Sequence, residues 1–192
     1  IVGRGLDDSV STFPVVENVH KDSILVLTKV PAQVNDLIKD KVEKVARQVL
    51  EVFDDYGLFC IEMFLDQNGE VYINEIAPRP HNSGHYTIEA CETSQYGQLL
   101  RILTGLPQGS TKLLSPCAMV NLLGNNEVFG EYTFNGFENV LSEEKVYIHL
   151  YGKRLTQNLK KIGHITVLNE SRDTAVIKAQ EALNKIKIKP LI

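Results

Sequence analysis

A chain of 192 residues with 43% apolar and 23% charged side chains can bury a sizeable core and has the composition of an ordinary globular protein. Its formal net charge of -4 excludes a protein held to nucleic acid by bulk positive charge, since no excess of cations exists to displace counterions from phosphates. Cys60, Cys91 and Cys117 are odd in number and lack metal-ligand spacing, so they read as reduced thiols of a cytoplasmic protein, and no apolar run reaches the roughly 20 residues of a membrane span.

The chain opens on Ile1-Val2-Gly3-Arg4, which has the character of a strand end and no initiator Met, so the sequence reads as a fragment of a longer protein. Phe13–Val19 and Ile24–Val30 are β-branched runs split by Lys21-Asp22, a predicted strand pair that ends at Pro31. From Val34 to Asp55 the apolar residues Leu37, Ile38, Val42, Val45, Val49, Val52 and Phe53 recur at helical spacing, with Gly57 as the stop. Leu58–Leu65 and Val71–Ala77 read as strands around Asn68-Gly69, the strongest short hairpin signal. A loop, Pro78–Gly84, leads to a helix predicted from Tyr86 to Thr104, stopped by Gly105 and Pro107. After a linker at Gln108–Pro116, Cys117–Leu123, Lys145–Leu150 and Ile162–Leu168 read as strands and Thr174–Ile186 as a closing helix. The fold class is α+β: residues 1–108 form one piece and residues 109–192 a small, mostly-β one.

Two carboxylates stand out in the predicted hairpin. If Asn68 and Gly69 are the two central turn residues, Leu65 faces Tyr72 and Glu62 faces Glu75. Opposed like charges destabilise a sheet, and the same face carries Cys60, Phe64, Ile73 and Ala77, an apolar setting. Such a pair shares a proton or binds a cation, and Mg²⁺ held by carboxylate oxygens is a common solution. The alternative is a solvent-facing pair relaxed by water or a neighbouring Lys.

The following segment, Asn74-Glu75-Ile76-Ala77-Pro78-Arg79-Pro80-His81-Asn82-Ser83-Gly84-His85, gathers a guanidinium, two imidazoles, an amide and a hydroxyl. These donors suit bicarbonate or phosphate oxygens. A zinc site at His81 and His85 would need both on one helical face, which Pro80 and Gly84 oppose. For Asn82 and Ser83 the plain reading is a cap on the next helix.

These residues resemble the PurK-type branch of the ATP-grasp enzymes. The resemblance rests on Phe13–His20, Ile61-Glu62-Met63-Phe64, the run from Asn74 to His85, Thr93-Ser94-Gln95-Tyr96, Gly105-Leu106-Pro107, His149–Lys153 and Lys160–Leu168. It implies the C-terminal half of an ATP-grasp domain, an antiparallel sheet with helices, followed by a small β-rich C-terminal domain. It further implies ATP-dependent carboxylation of 5-aminoimidazole ribonucleotide by bicarbonate in purine biosynthesis, through carboxyphosphate, in a cytoplasmic homodimer that binds neither nucleic acid nor membrane. On that resemblance Glu62 and Glu75 bind Mg²⁺, while His20, Asn74 and Glu75 meet ATP. Arg79, His81 and Asn82 hold bicarbonate or its phosphorylated form, and Lys153 and Lys160 meet the ribonucleotide phosphate.

Strict strand alternation points Asn74 away from Glu75, so its contact with ATP requires a bulge or its backbone. Two features depart from the family: Lys160 stands where Arg is common, and Arg154–Leu159 lacks the usual prolines. The phosphate-binding loops and adenine hinge of the family have no counterpart upstream of Phe13, so the piece alone is expected to be inactive. Other ATP-grasp ligases and a non-catalytic nucleotide-binding module are the competing readings.

Overall fold

The computed structural model describes residues 1–191. In chain order the first elements are β1 (Val2–Arg4), β2 (Val10–Thr12), β3 (Glu17–Lys21), β4 (Ile24–Val30), α1 (Asp36–Phe53), β5 (Gly57–Leu65) and β6 (Val71–Ala77). A 3₁₀ turn (Asn82–Gly84), α2 (Thr87–Ala90), α3 (Gln95–Leu103), β7 (Cys117–Leu123), β8 (Gly130–Asn135) and α4 (Phe137–Leu141) follow. The last are β9 (Val146–Leu150), β10 (Leu155–Thr156), β11 (Lys161–Leu168), α5 (Arg172–Lys185) and β12 (Lys187–Pro190). Two compact units result: Ile1–Glu17 with Pro31–Leu114, and Asn18–Val30 with the chain from Ser115 onward.

In the first unit β2, β1, β5 and β6 form an antiparallel sheet in that order. Helix α1 begins at Asn35, whose side chain accepts from the Ile38 N–H at 3.0 Å. Its Ala46 and Leu50 pack with Val2 of β1 and Phe59 of β5 in one buried cluster. The helix stops before the expected Gly57: Asp54 takes the left-handed conformation, φ 43°, and donates its N–H to the Leu50 carbonyl.

The expected single helix from Tyr86 to Thr104 is two helices. Cys91 is extended and bridges to Leu113, which breaks the helical hydrogen bonds, and Ser94 then caps a new helix by accepting from the Gly97 N–H at 3.1 Å.

In the second unit a five-stranded sheet runs β3-β4-β7-β11-β9. The β3–β4 turn places Asp22 and Ser23 both at positive φ, 51° and 60°, the geometry of a tight hairpin whose twist matches its strands. Strand β3 starts only at Glu17, because Pro14 has no N–H and Val15 instead accepts from the Ala32 N–H. The division read from the sequence at residue 108 leaves this hairpin with the first piece, whereas the structure pairs it with the second. Strand β7 is buried over six of its seven residues and needs neighbours on both edges. It finds β4 on one side, from Leu27↔Val120 to Val30↔Cys117, and β11 on the other. The three fully buried alanines of α5, Ala175, Ala179 and Ala182, let that helix lie close over Val120, Leu122, Ile165 and Val167. A smaller sheet, β10-β8-β12, completes the unit.

Candidate active site

The hairpin tip differs from the expected two-residue turn. Asp66 accepts from the Gly69 N–H and donates to the Glu70 carbonyl, with Gly69 at φ 78°, so three residues span the tip. The Asp66 carboxylate also accepts from the backbone N–H groups of Asn68 and Glu70, both at 2.8 Å, which hold its pKa below the ordinary range. Leu65 therefore faces Val71, not Tyr72. Further along, the register shifts by one more residue at Asn74, which is left between the Met63↔Ile73 and Glu62↔Glu75 pairs. The two displacements cancel, and Glu62 stands opposite Glu75 as the sequence reading has it. The bulge also lifts the objection to Asn74, because an extra residue breaks the strict alternation that set it away from Glu75.

The face around the pair is only partly apolar. Cys60 and Ala77 are buried at its base, but Phe64 is 62% and Ile73 48% exposed. This corrects the expected apolar setting: the carboxylates sit at the edge of the core. Glu62 is the sheltered member, with its side chain 14% exposed, and Glu75 is exposed.

The loop after β6 brings His81 to this edge. His81 Nδ1 lies 3.9 Å from Glu62 Oε1 and 2.9 Å from Ser83 Oγ, and it accepts from the Ser83 N–H at 3.3 Å. His81 is thus itself the cap of the 3₁₀ turn, while Asn82 and Ser83 lie inside it, which corrects the capping read for those two residues. Ser83 Oγ continues to Cys60 Sγ at 3.5 Å, and burial pushes the Cys60 thiol pKa up. Arg79 is exposed and donates to the Pro80 carbonyl at 3.1 Å. His81 and His85 are held by different partners: His85 Nδ1 meets Gln95 Nε2 at 3.0 Å and the Tyr96 hydroxyl at 3.1 Å. Among the described residues no three His, Cys, Asp or Glu side chains gather as a metal site.

The remaining expected residues lie in the second unit. His20 is exposed on β3. Lys153 is exposed, with Nζ 5.9 Å from the centre of the Tyr151 ring, and the Tyr151 hydroxyl meets His164 Nδ1 at 2.9 Å. His164 is buried and stacks on its cross-strand partner His149 with ring centres 4.5 Å apart. Lys160 closes the loop, where Gly124 donates to its carbonyl and Leu159 donates to the Gly124 carbonyl. In place of the missing prolines, Leu159 takes a positive φ of 61° and β10 pairs with β8. Arg154 is bound to Glu131 at 2.7 Å. Gln95, Tyr151 and His164 lie in the motifs that carry the resemblance but have no site role in the sequence reading. No sequence signal marks Gln95, whose burial and backbone partners belong to the fold.

Residues 1–96 match the family described as the ATP-grasp domain. The chain belongs to the ATP-grasp family. Residues 117–178 match the phosphoribosylaminoimidazole carboxylase C-terminal domain. The N5-carboxyaminoimidazole ribonucleotide synthase of Bacillus subtilis is 43% identical over 185 residues, 96% of this chain and 46% of that protein. The crystal structure of N5-carboxyaminoimidazole ribonucleotide synthetase from Thermotoga maritima superposes with a TM-score of 0.91 at 41% identity, covering 99% of this chain and 51% of that one. The synthase from Aspergillus clavatus, solved in complex with ADP and 5-aminoimidazole ribonucleotide, gives 0.85 at 36% identity, over 95% of this chain and 49% of that one. The chain spans about half the length of these relatives, and the PurK-type resemblance read from its motifs is the one they return.

Proposed function

We propose that this ATP-grasp chain is the metal- and bicarbonate-binding part of an enzyme that carboxylates 5-aminoimidazole ribonucleotide at the expense of ATP. The observation that carries the reading is the pair Glu62 and Glu75, opposed across a bulged hairpin with an Arg/His/Asn loop directly after it. Two hard carboxylates, one sheltered and one exposed, fit a Mg²⁺ ion that keeps part of its water shell. When bound, Mg²⁺ neutralises charge on the ATP phosphates. Glu75 and Asn74 contact the nucleotide, and His20 keeps the nucleotide role that the family resemblance implies for it. Arg79, His81 and Asn82 orient bicarbonate for attack on the γ-phosphorus, which expels ADP, and their donors hold the resulting carboxyphosphate until the ribonucleotide amine takes its carboxyl group with release of phosphate and a proton. Lys153 and Lys160 hold the ribonucleotide phosphate as point charges. Phosphoryl transfer of this kind depends on positioning and electrostatics more than on a covalent protein intermediate.

The whole protein is taken to act as a cytoplasmic homodimer on small molecules. No helix among the described residues is long and apolar enough to cross a membrane. The test is ADP release by the whole protein. Release should require bicarbonate and 5-aminoimidazole ribonucleotide together, and Arg79→Ala should abolish the bicarbonate dependence. ADP release driven equally by formate, or by another amine, would assign the chain to a different ATP-grasp ligase.

A further inference from the structure

Gln95 is completely buried, yet it is a polar residue at the first position of an exposed-faced helix. Its amide is fully engaged. Oε1 accepts from the His81 N–H at 2.9 Å and Nε2 donates to the His81 carbonyl at 2.9 Å. Because a backbone N–H can only donate and a carbonyl can only accept, this pairing fixes which end of the amide is oxygen. Nε2 therefore carries the hydrogens, and its second one points at His85 Nδ1, 3.0 Å away. That ring nitrogen must accept.

The same residue is anchored from behind. The Gln95 N–H donates to Thr87 Oγ1 at 2.9 Å, and Thr87 Oγ1 donates to the Gly84 carbonyl at 2.6 Å. Thr87 is fully buried and Ser83 nearly so. A Cβ on Gly84 would run into Gln95 Oε1, so the turn is packed directly against this amide. From its two ends to its middle, the segment from His81 to His85 is thus gripped by one side chain.

We propose that Gln95 is a positioning residue for the anion-binding loop: it holds the His81 peptide in place and fixes His85 as the neutral imidazole with its proton on Nε2. The placing of that loop at a bicarbonate site rests on the function proposed above, whereas the tautomer of His85 does not. A neutral Nε2–H imidazole is a donor that adds no charge to the loop, and a ring locked at Nδ1 holds that donor in one direction. Tyr96 stacks on His85 at 5.9 Å between ring centres, and its hydroxyl, which can donate or accept, lies 3.1 Å from the same Nδ1, so the tautomer is set by Gln95.

The experiment uses the whole protein with ¹⁵N-labelled histidine, His85 being assigned by its absence in His85→Gln. In the wild type the His85 ring should show the Nε2–H pattern, and an Nδ1–H pattern would overturn the proposal without any variant having to fold. In Gln95→Glu, a near-isosteric change, the carboxylate cannot donate to His85 Nδ1 or to the His81 carbonyl. The Nδ1-protonated form should gain population, and the KM for bicarbonate should rise about tenfold, the effect of losing one or two hydrogen bonds. The KM for ATP should stay within about twofold on the same reasoning. An equal rise in both constants, or an unchanged bicarbonate KM with a flipped tautomer, would sink the positioning role. If the wild type consumes no bicarbonate yet shows the Nε2–H pattern, the functional reading fails and the hydrogen-bond assignment stands.

Discussion

Substituting Glu75 by Gln separates the two consequences of an opposed carboxylate pair. Cross-strand partners hold their Cβ atoms about 5 Å apart. Two unit charges at that distance repel by about 0.8 kcal/mol in bulk water and about 3 kcal/mol in the medium near a protein surface. Glu75 is exposed while the Glu62 side chain is 14% exposed, so the lower end applies. Removing one charge should therefore leave metal-free stability unchanged or raise it by up to about 1 kcal/mol, which for a chain of this size moves Tm by about 2–4 °C at most. With Mg²⁺ the order should reverse. A ligand bound by the native state alone adds RT ln(1 + [L]/Kd), about 2.7 kcal/mol at a hundredfold excess over Kd, and the variant forfeits most of that. Thermal unfolding over a Mg²⁺ titration, with and without chelator, should give two curves that cross. Steady-state kinetics on the same variant should show the loss mainly in kcat, because the ion matters most while charge moves between phosphoryl oxygens. An identical Mg²⁺-dependent rise in Tm for wild type and variant would refute the metal assignment. A metal-free loss of more than about 1 kcal/mol would show that the two carboxylates do not repel in the fold.

Three further expectations follow from separate parts of the chain. Lys153→Ala in the whole protein should raise the KM for the ribonucleotide about tenfold, most at low salt, with little change for ATP; an equal effect on ATP would reassign this lysine to the nucleotide. The Asp66 pKa is depressed by its backbone donors, so its contribution is present above the ordinary carboxylate pKa and is lost as pH falls through the lowered one; Asp66→Asn should flatten that part of an acid-unfolding curve, and an unaltered curve would deny the carboxylate any such role. Ile165→Ala, at a fully buried position under α5, should cost about 2–5 kcal/mol by denaturant unfolding. Ile177→Ala, on the exposed side of that helix, should cost within about 0.5 kcal/mol.

The elements legible in the sequence were those whose signal is local. Periodicity gave α1 within two residues at each end, and the apolar runs gave β4, β7 and β11 almost to the residue. What escaped was set by partners far along the chain. Cys91 breaks a helical pattern only because Leu113 is there to pair with it, and β3–β4 joins the second unit only because β7 has an open edge beside it. The short strands β8, β10 and β12 carry no long apolar run of their own and exist by pairing with one another. At the site, Glu62 opposite Glu75 was legible although the turn was misjudged, since the wider tip and the bulge at Asn74 each shift the register by one in opposite senses. Gln95 was illegible as a site group because its role lies in hydrogen bonds to the backbone of a loop 14 residues earlier, and backbone partners leave no mark on residue type.

On the function proposed above, the bulge and the buried glutamine answer the same physical problem. A site for small anions needs several donors and carboxylates fixed to within about half an ångström, yet a regular strand can offer only alternate residues to one face, and a loop alone holds nothing still. The bulge at Asn74 removes the first restriction by giving Glu62 two neighbours across the ladder where a regular strand gives one. Gln95 removes the second by lending the loop a peptide-like partner that no strand supplies, from a helix start tied back to the same loop through Thr87. Both devices stand where β5 and β6 leave the core, with Cys60 and Ala77 buried on one side and Phe64 and Ile73 exposed on the other. The carboxylates can therefore take their position from the rigid end of the hairpin while remaining open to an ion that keeps its water.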